Sequence, residues 1–439
     1  MKTTLLCALL VILGCEFALG QAQYKVLYNL AGGPSDGANP IGALVFDSVG
    51  NLYGTTSGGG TSSSPACAEF GCGTVFELSP NVDGTWSEKV IYSFCSKFSE
   101  LNCQDGSFPQ AGLVLDATGN LYGMTSKGGG RPCPLDTEGC GTIFELSPPS
   151  SHATAWKYSV LYRFCAIEQG GVCKDGDYPL GRLALDSSGK LYGTTRRGGA
   201  GHGGEGNLDG GTVFELSPSG GRWTESVLYS FCSFGTGNYC PDGAAPEAGV
   251  TFDESGNIYG TTAFGGASFP RHGYGTVYEL SPGSNEWNET VLYAPLGNGG
   301  VYPRADVSFD RLGNLFSTFL GGRPDGDGGV FRIGPHGGVT ATPFNGEDGD
   351  TPTSGVLIDA RRAVLYGTTP MGGAASLGVI YKIVPPSQES VLHSFCSLDG
   401  CADGGSPEGS LIEDRLGNLY GATTGGGAYN EGVVFEITP

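Results

Sequence analysis

At 439 residues the chain is long enough for one large repeat domain or about three ordinary ones, and its 79 evenly spread glycines imply many tight turns. A formal charge of −21 argues against a phosphate-binding surface, so nucleic acid is not an expected partner. The same acidity suits any soluble protein held apart from its neighbours by like charge, and names no ligand.

The first 20 residues read as a signal peptide: Lys2 is the positive start, Leu5 to Leu13 the apolar run, and Ala18-Leu19-Gly20 the cleavage site before Gln21. The run is half the ~20 residues that a spanning helix needs, and no later stretch comes closer, so no transmembrane segment is expected. Ile12-Leu13-Gly14-Cys15 loosely matches a bacterial lipobox, which makes a lipid anchor at Cys15 the alternative to cleavage near Gly20.

The mature chain opens on a lone apolar-alternating strand, Tyr24 to Leu30, and then repeats one unit seven times. Each copy has a Pro followed seven positions later by an Asp, as in Pro40 and Asp47; Asp-x-x-Gly-Asn then leads into NLYGTT or a close variant. The alternation before the Asp predicts a strand a, the Asp-x-x-Gly a type I turn with a left-handed glycine, and NLYGTT a strand b. A Gly-Gly pair and a loop of uneven length precede strand c, GTVFELSP in the first unit. Strand d follows, as in EKVIYSF, and Trp86, Trp156, Trp223 and Trp287 begin it in four units.

Four short strands per unit and seven units of uneven length predict an all-β, seven-bladed β-propeller of antiparallel four-stranded blades, spanning residues 21–439 as a single domain. The last unit stops at strand c. The lone N-terminal strand is therefore expected to complete blade seven and close the ring.

Of 14 cysteines, two lie in the leader and twelve form near-neighbour pairs in loops. Six local disulfides are expected: Cys67–Cys72, Cys95–Cys103, Cys133–Cys140, Cys165–Cys173, Cys232–Cys240 and Cys396–Cys401. Their intervals of five to eight residues are wider than the close pairs of most zinc sites, and imply an oxidising compartment. In an antiparallel blade the d-to-a and b-to-c loops leave by the same face. All the cysteine-bearing insertions thus share one face, where a binding surface is expected.

On that face six Asp-Gly residues, Asp36, Asp105, Asp175, Asp242, Asp348 and Asp403, are candidates for an acidic ring toward calcium or sugar hydroxyls, against the plainer reading that they start turns. Arg131, Arg196, Arg197, Arg271 and Arg323 are candidates for meeting an acidic glycan, against simple solvated charge. Asp325 and Asp327 resemble part of a calcium loop but lack EF-hand spacing. The five histidines fall at unrelated positions, and no linear catalytic motif is present, so no catalytic residue and no cofactor is assigned.

NLYGTT, GTVFELSP and VLYSF followed by DGxxP resemble the GloVer tandem repeat, a family of bacterial secreted or surface repeat proteins, over nearly all of residues 24–439. Strands a and b are more distantly similar to NHL-type propeller repeats. The resemblance implies export and a propeller-like fold, without established catalytic residues. Relatives often bear a C-terminal sorting anchor, whereas Pro439 ends a strand, so free secretion or periplasmic residence is expected. The reading at this stage is a monomeric, non-enzymatic protein that binds a glycan or a surface protein through its disulfide-stapled face. The alternatives are a propeller enzyme acting on polysaccharide, as lyase or hydrolase, and a purely structural surface module.

Overall fold

The computed structural model describes residues 22–439 except 68–69, 100–101, 132, 135, 151–154, 202–209, 235–238, 267–272, 285, 297–299 and 322–325. The signal-peptide and Cys15 readings lie outside the described residues. Seven antiparallel four-stranded sheets follow one another around a ring, giving the all-β seven-bladed propeller. In blade one, strands a to d are Val45–Phe46, Leu52–Thr56, Thr74–Pro80 and Trp86–Ser93.

Blade seven takes its inner three strands from Ile412–Glu413, Leu419–Thr423 and Val433–Thr438, and its outer strand from Gln23–Asn29. The N-terminal strand pairs antiparallel with the C-terminal one, from Gln23 opposite Thr438 to Asn29 opposite Val433. Its register shifts between Val26 and Tyr28, and a shift recurs at the matching place between strands c and d of blades one, two, three, four and six. The first strand therefore carries the bulge of a strand d, and replaces one in geometry as well as in pairing. Blade five is the exception, with a regular ladder and a mostly exposed outer strand, Val339–Pro343.

The apolar core lies between blades. One cluster joins Leu27, Tyr420, Ala422 and Val434 of blade seven to Leu44, Leu52, Phe76 and Leu78 of blade one. The outer tryptophans belong to these seams: Trp156 meets the strand-b Tyr53 of the preceding blade edge-on at 5.7 Å, and Trp223 meets Tyr122 at 6.2 Å.

Hydroxyls explain the Thr-Thr that ends strand b. The second threonine bonds within its blade to the threonine opening strand c, as Thr56 to Thr74 and Thr195 to Thr212, both at 2.8 Å. The first reaches across the seam to a carbonyl just ahead of strand a in the next blade: Thr55 donates to Ala111 at 2.8 Å and Thr194 to Ala248 at 2.6 Å. Glycine is required inside strand b because a Cβ at Gly54 would lie 2.5 Å from the Phe76 ring. It is required before strand c because Gly432 has φ +98°, and a Cβ there would lie 2.1 Å from the Thr423 carbonyl oxygen and 2.9 Å from Pro40. Pro40 belongs to blade one, so the contact sits at the ring closure. The same glycine-to-proline packing recurs from Gly73 to Pro109 and from Gly141 to Pro179.

The a-to-b turn is as expected in most blades, with Gly50 at φ +98° and the Asp47 carboxylate accepting from the amides of Val49 and Asn51, both at 2.9 Å. In blade six Ala363 takes the left-handed place at φ +54°. Among the described residues no helix is long and apolar enough to cross a membrane.

Candidate ligand site at the channel mouth

The residue just before each repeat proline is left-handed: Asn39, Phe108, Tyr178, Ala245, Tyr302, Thr351 and Ser406 have φ between +49° and +59°. A side chain in that region costs about 1 kcal/mol or more, so something must hold it there. Two backbone bonds do. The amide donates to the b-to-c loop of the preceding blade, as Phe108 to the Cys72 carbonyl at 2.9 Å and Tyr178 to that of Cys140 at 3.0 Å. The carbonyl accepts from the end of its own strand b, as Tyr178 from the Arg196 amide at 3.1 Å, except in blade six, where Pro370 has no amide to give Thr351. Backbone groups lock each position, and the side chain is left to vary.

The segments between these prolines and the strands a line an axial cavity to which all seven blades contribute, with Ile41, Gln110, Leu180, Glu247, Arg304, Thr353 and Glu408 in equivalent places. The residues before the prolines stand two positions ahead of these, where the d-to-a loops of the disulfide face lead into the channel. They make the mouth two-sided. Blades two to five present Phe108, Tyr178 and Tyr302, with Phe264 and Tyr274 beside them; blades six, seven and one present Thr351, Ser406 and Asn39.

Cations sit on the aromatic side. The Arg197 guanidinium lies 4.8 Å from the Tyr178 ring centroid, and that of Arg304 lies 5.5 Å from Phe264. Phe264 and Tyr274 each meet Tyr302 edge-on at 5.9 Å. One carboxylate, Glu247, is shared by two arginines: Arg196 Nε donates to it at 2.8 Å, and Arg304 Nε stands 3.4 Å away in ion-pair but not hydrogen-bond contact. Two guanidiniums thus flank this one carboxylate, on a chain of formal charge −21. Further along the channel Asp306 accepts the Gly249 amide at 2.7 Å, and in the ring position equivalent to Glu247 burial pushes the Glu408 carboxyl above its ordinary value.

The Asp-Gly residues are elsewhere, and the acidic-ring reading is corrected. Asp36, Asp105, Asp175, Asp242 and Asp403 are at most 4 % exposed. Each carboxylate turns inward to pin the d-to-a loop. Asp105 accepts from the Tyr92 hydroxyl at 2.5 Å and the Ser96 amide at 3.0 Å; Asp175 accepts from Tyr162 at 2.6 Å and the Ala166 amide at 2.8 Å. Asp36 and Asp242 do the same with Tyr28 and Tyr229, and Asp403 with His393. Asp348 follows the strand d of blade five, which offers neither a tyrosine nor a histidine, and caps the Asn345 amide at 2.8 Å. These carboxylates serve the loops, because a buried charge needs donors and the loop amides supply them.

Of the five candidate arginines, Arg196 and Arg197 meet at the mouth. Arg131 lies apart on the outer loops, where its carbonyl accepts from Asn102 at 2.8 Å. Arg271, Arg323 and Asp325 lie outside the described residues, as do His152, His202 and His272. Asp327 is half-buried, and its carbonyl accepts the Thr351 amide at 3.0 Å. All six expected disulfides are present, in the expected pairing. Sequence reading missed Tyr178, Phe264, Tyr302, Arg304 and Glu247. For all but Phe264, which follows strand b of blade four, the available signal was the position on either side of each proline, which changes character from copy to copy while the proline does not.

Fold and site together define a seven-bladed propeller with a rigid backbone frame and a variable, disulfide-stapled mouth. The chain belongs to the Gloeobacter/Verrucomicrobia repeat family, whose model matches residues 14–205, 68–287 and 246–439. No curated protein matches it. Among solved structures it is similar to a proposed 6-phosphogluconolactonase from Bacteroides uniformis, at 11 % identity and a TM-score of 0.45 over 80 % of this chain and 83 % of that one. It is also similar to a gluconolactonase from Xanthomonas campestris, at 15 % identity and 0.39 over 79 % and 85 %, and to a protein of unknown function from Dyadobacter fermentans, at 14 % and 0.41 over 95 % and 98 %. Likenesses this distant carry nothing about activity.

Proposed function

We propose that this is a secreted, monomeric, non-enzymatic propeller that binds an acidic glycan at the channel mouth on its disulfide face. The observation that supports it is the pairing of half-buried rings with arginines: Tyr178 with Arg197, and Phe264 and Tyr302 around Arg304. Rings of this kind stack on the C–H faces of sugars. Guanidiniums supply forked donors that suit a carboxylate. The backbone lock on each ring position means that little conformational freedom is lost on binding.

Titration with polygalacturonate, with neutral dextran as comparison, tests the reading. Binding of polygalacturonate that weakens with salt supports it, and equal or no binding of both overturns it. Capture of a surface protein and no polysaccharide would move the ligand to the protein class.

The rival, an enzyme acting on polysaccharide, has one observation in its favour: Glu408 stands in the channel with its carboxyl shifted toward the protonated, acid-donating form. Polysaccharide cleavage that Glu408→Gln abolishes would replace binding by catalysis. Export is supported by the six disulfides and the leader-like first 20 residues, and a mature N-terminus at Gln21 on sequencing the exported protein would establish it.

A further inference from the structure

Two of the disulfides touch. Cys67–Cys72 belongs to the b-to-c loop of blade one and Cys95–Cys103 to the next d-to-a loop, yet Cys72 Sγ lies 3.8 Å from Cys103 Sγ. All four sulfurs are buried and lie within 4.8 Å of one another. The arrangement recurs one blade on, where Cys140 Sγ lies 3.9 Å from Cys173 Sγ, and Cys133 Sγ lies 3.2 Å from Asp177 Oδ2. That second group, Cys133, Cys140, Cys173 and Asp177, is equally compact and buried.

Four thiolates around a tetrahedral zinc ion, at about 2.3 Å each, stand about 3.8 Å apart along every edge. The Cys72 to Cys103 separation already has that length, between sulfurs of two separate loops. We propose that each paired-disulfide cluster is also a metal site, which takes one thiophilic divalent cation such as Zn²⁺ once its disulfides are reduced.

The balance for the first cluster is complete. Two equivalents of a dithiol reductant deliver four electrons and four protons, the two S–S bonds break, and the reductant leaves as two cyclic disulfides. Zn²⁺ then displaces four protons from the four thiols and forms four Zn–S bonds. At the second site reduction of Cys133–Cys140 and Cys165–Cys173 takes the same four electrons and four protons; the Cys133, Cys140 and Cys173 thiols lose three protons to bind the ion with the Asp177 carboxylate, and Cys165 stays a thiol. The sites exist because b-to-c and d-to-a loops leave the same face side by side, and these two blade junctions carry cysteines in both. Cys232–Cys240 and Cys396–Cys401 have no such neighbour, and the chain holds its own control.

The test reduces the folded full-length protein with a dithiol, removes the reductant without air, and titrates with Co²⁺. Thiolate-to-cobalt charge transfer and tetrahedral d–d bands are recorded, with near-UV circular dichroism as the measure of fold. The expected result is two equivalents of Co²⁺ bound to the reduced chain and none to the oxidised chain. One equivalent should remain in Cys67→Ala/Cys72→Ala, and two in Cys232→Ala/Cys240→Ala. Uptake by the oxidised chain, undiminished uptake in Cys67→Ala/Cys72→Ala, or loss of the near-UV signal on reduction without recovery on metal addition would overturn the proposal. Two equivalents of zinc retained through purification from a reducing cytosol, falling to one in Cys72→Ser/Cys103→Ser, is the second expected readout; equal zinc in both would overturn it.

Discussion

Tyr24, near the start of the chain, lies flat on His393 of blade six, with ring centroids 3.9 Å apart and planes 3° from parallel, and its hydroxyl donates to the Asp403 carbonyl at 2.6 Å. Blades one and two form the same contact in an ordinary seam, where Tyr158 stacks on Tyr92 at 3.9 Å and donates to the Asp105 carbonyl. The closure of the ring thus reuses a seam found inside it. Burial and the neighbouring Asp403 both hold the Tyr24 hydroxyl protonated.

Tyr24→Ala should therefore loosen the latch between the first and last strands. The expected cost is about 2 to 3 kcal/mol, below that of a fully buried ring because Tyr24 is only partly buried. Tyr24→Phe, which keeps the stack and loses one hydrogen bond, should cost about 1 kcal/mol. Chemical denaturation of the three proteins checks the order, and a wild-type midpoint for Tyr24→Ala would show that the ring is closed without it.

His393 stands where most other blades have a tyrosine that bonds the loop aspartate, and burial lowers its pKa against the opposing pull of Asp403. The fold thus prefers the neutral ring. Its contribution is complete above the ordinary imidazole value of 6.5 and is lost as pH falls through the lower folded value. His393→Tyr should remove this part of the acid sensitivity, so that its melting temperature falls less than the wild type's between pH 6.5 and pH 5.

Four strand-d glutamates behave in the opposite sense. Burial, and then the loop aspartate nearby, push Glu88, Glu225 and Glu389 to about 8 and Glu289 to about 7, from an ordinary 4.5. Each has a carboxyl oxygen buried without a hydrogen-bond partner. The folded state favours the protonated form, so this stability is complete below pH 4.5 and is lost as pH rises to about 8. Glu225→Gln should flatten that decline and raise the melting temperature at pH 9 by a few degrees, with little change at pH 4.

Thr194→Val should cost about 1 to 3 kcal/mol, because the Ala248 carbonyl across the seam loses its 2.6 Å donor while staying buried. A scanning-calorimetry shift much smaller than this would mean that the seam relaxes to admit another donor.

Tyr178→Ala and Arg197→Ala should each weaken polygalacturonate binding by about tenfold, on the order of 1.4 kcal/mol, and leave the melting temperature close to that of the wild type. The backbone bonds of Tyr178 do not use its side chain. Isothermal titration at two salt concentrations would separate the variants: Arg197→Ala should reduce the salt dependence and Tyr178→Ala should not.

Blade count, strand order, ring closure and disulfide pairing were legible in the chain because each rests on local, repeated chemistry. A proline seven residues before an aspartate, a threonine pair and a cysteine five to eight residues from its partner lie within one blade or one loop. The loop aspartates were visible but open to two readings, since a carboxylate facing solvent and one facing loop amides look alike in sequence. The mouth was not legible. It draws about one side chain from each blade, at positions some fifty to seventy residues apart, and no local pattern joins Tyr178 to Phe264 and Arg304. By itself the sequence determined the repeat, and through it the propeller and the face that carries the variable loops. Only the tertiary structure decided which variable residues converge, because closing the ring brings the residues that follow the seven distant prolines around one axis.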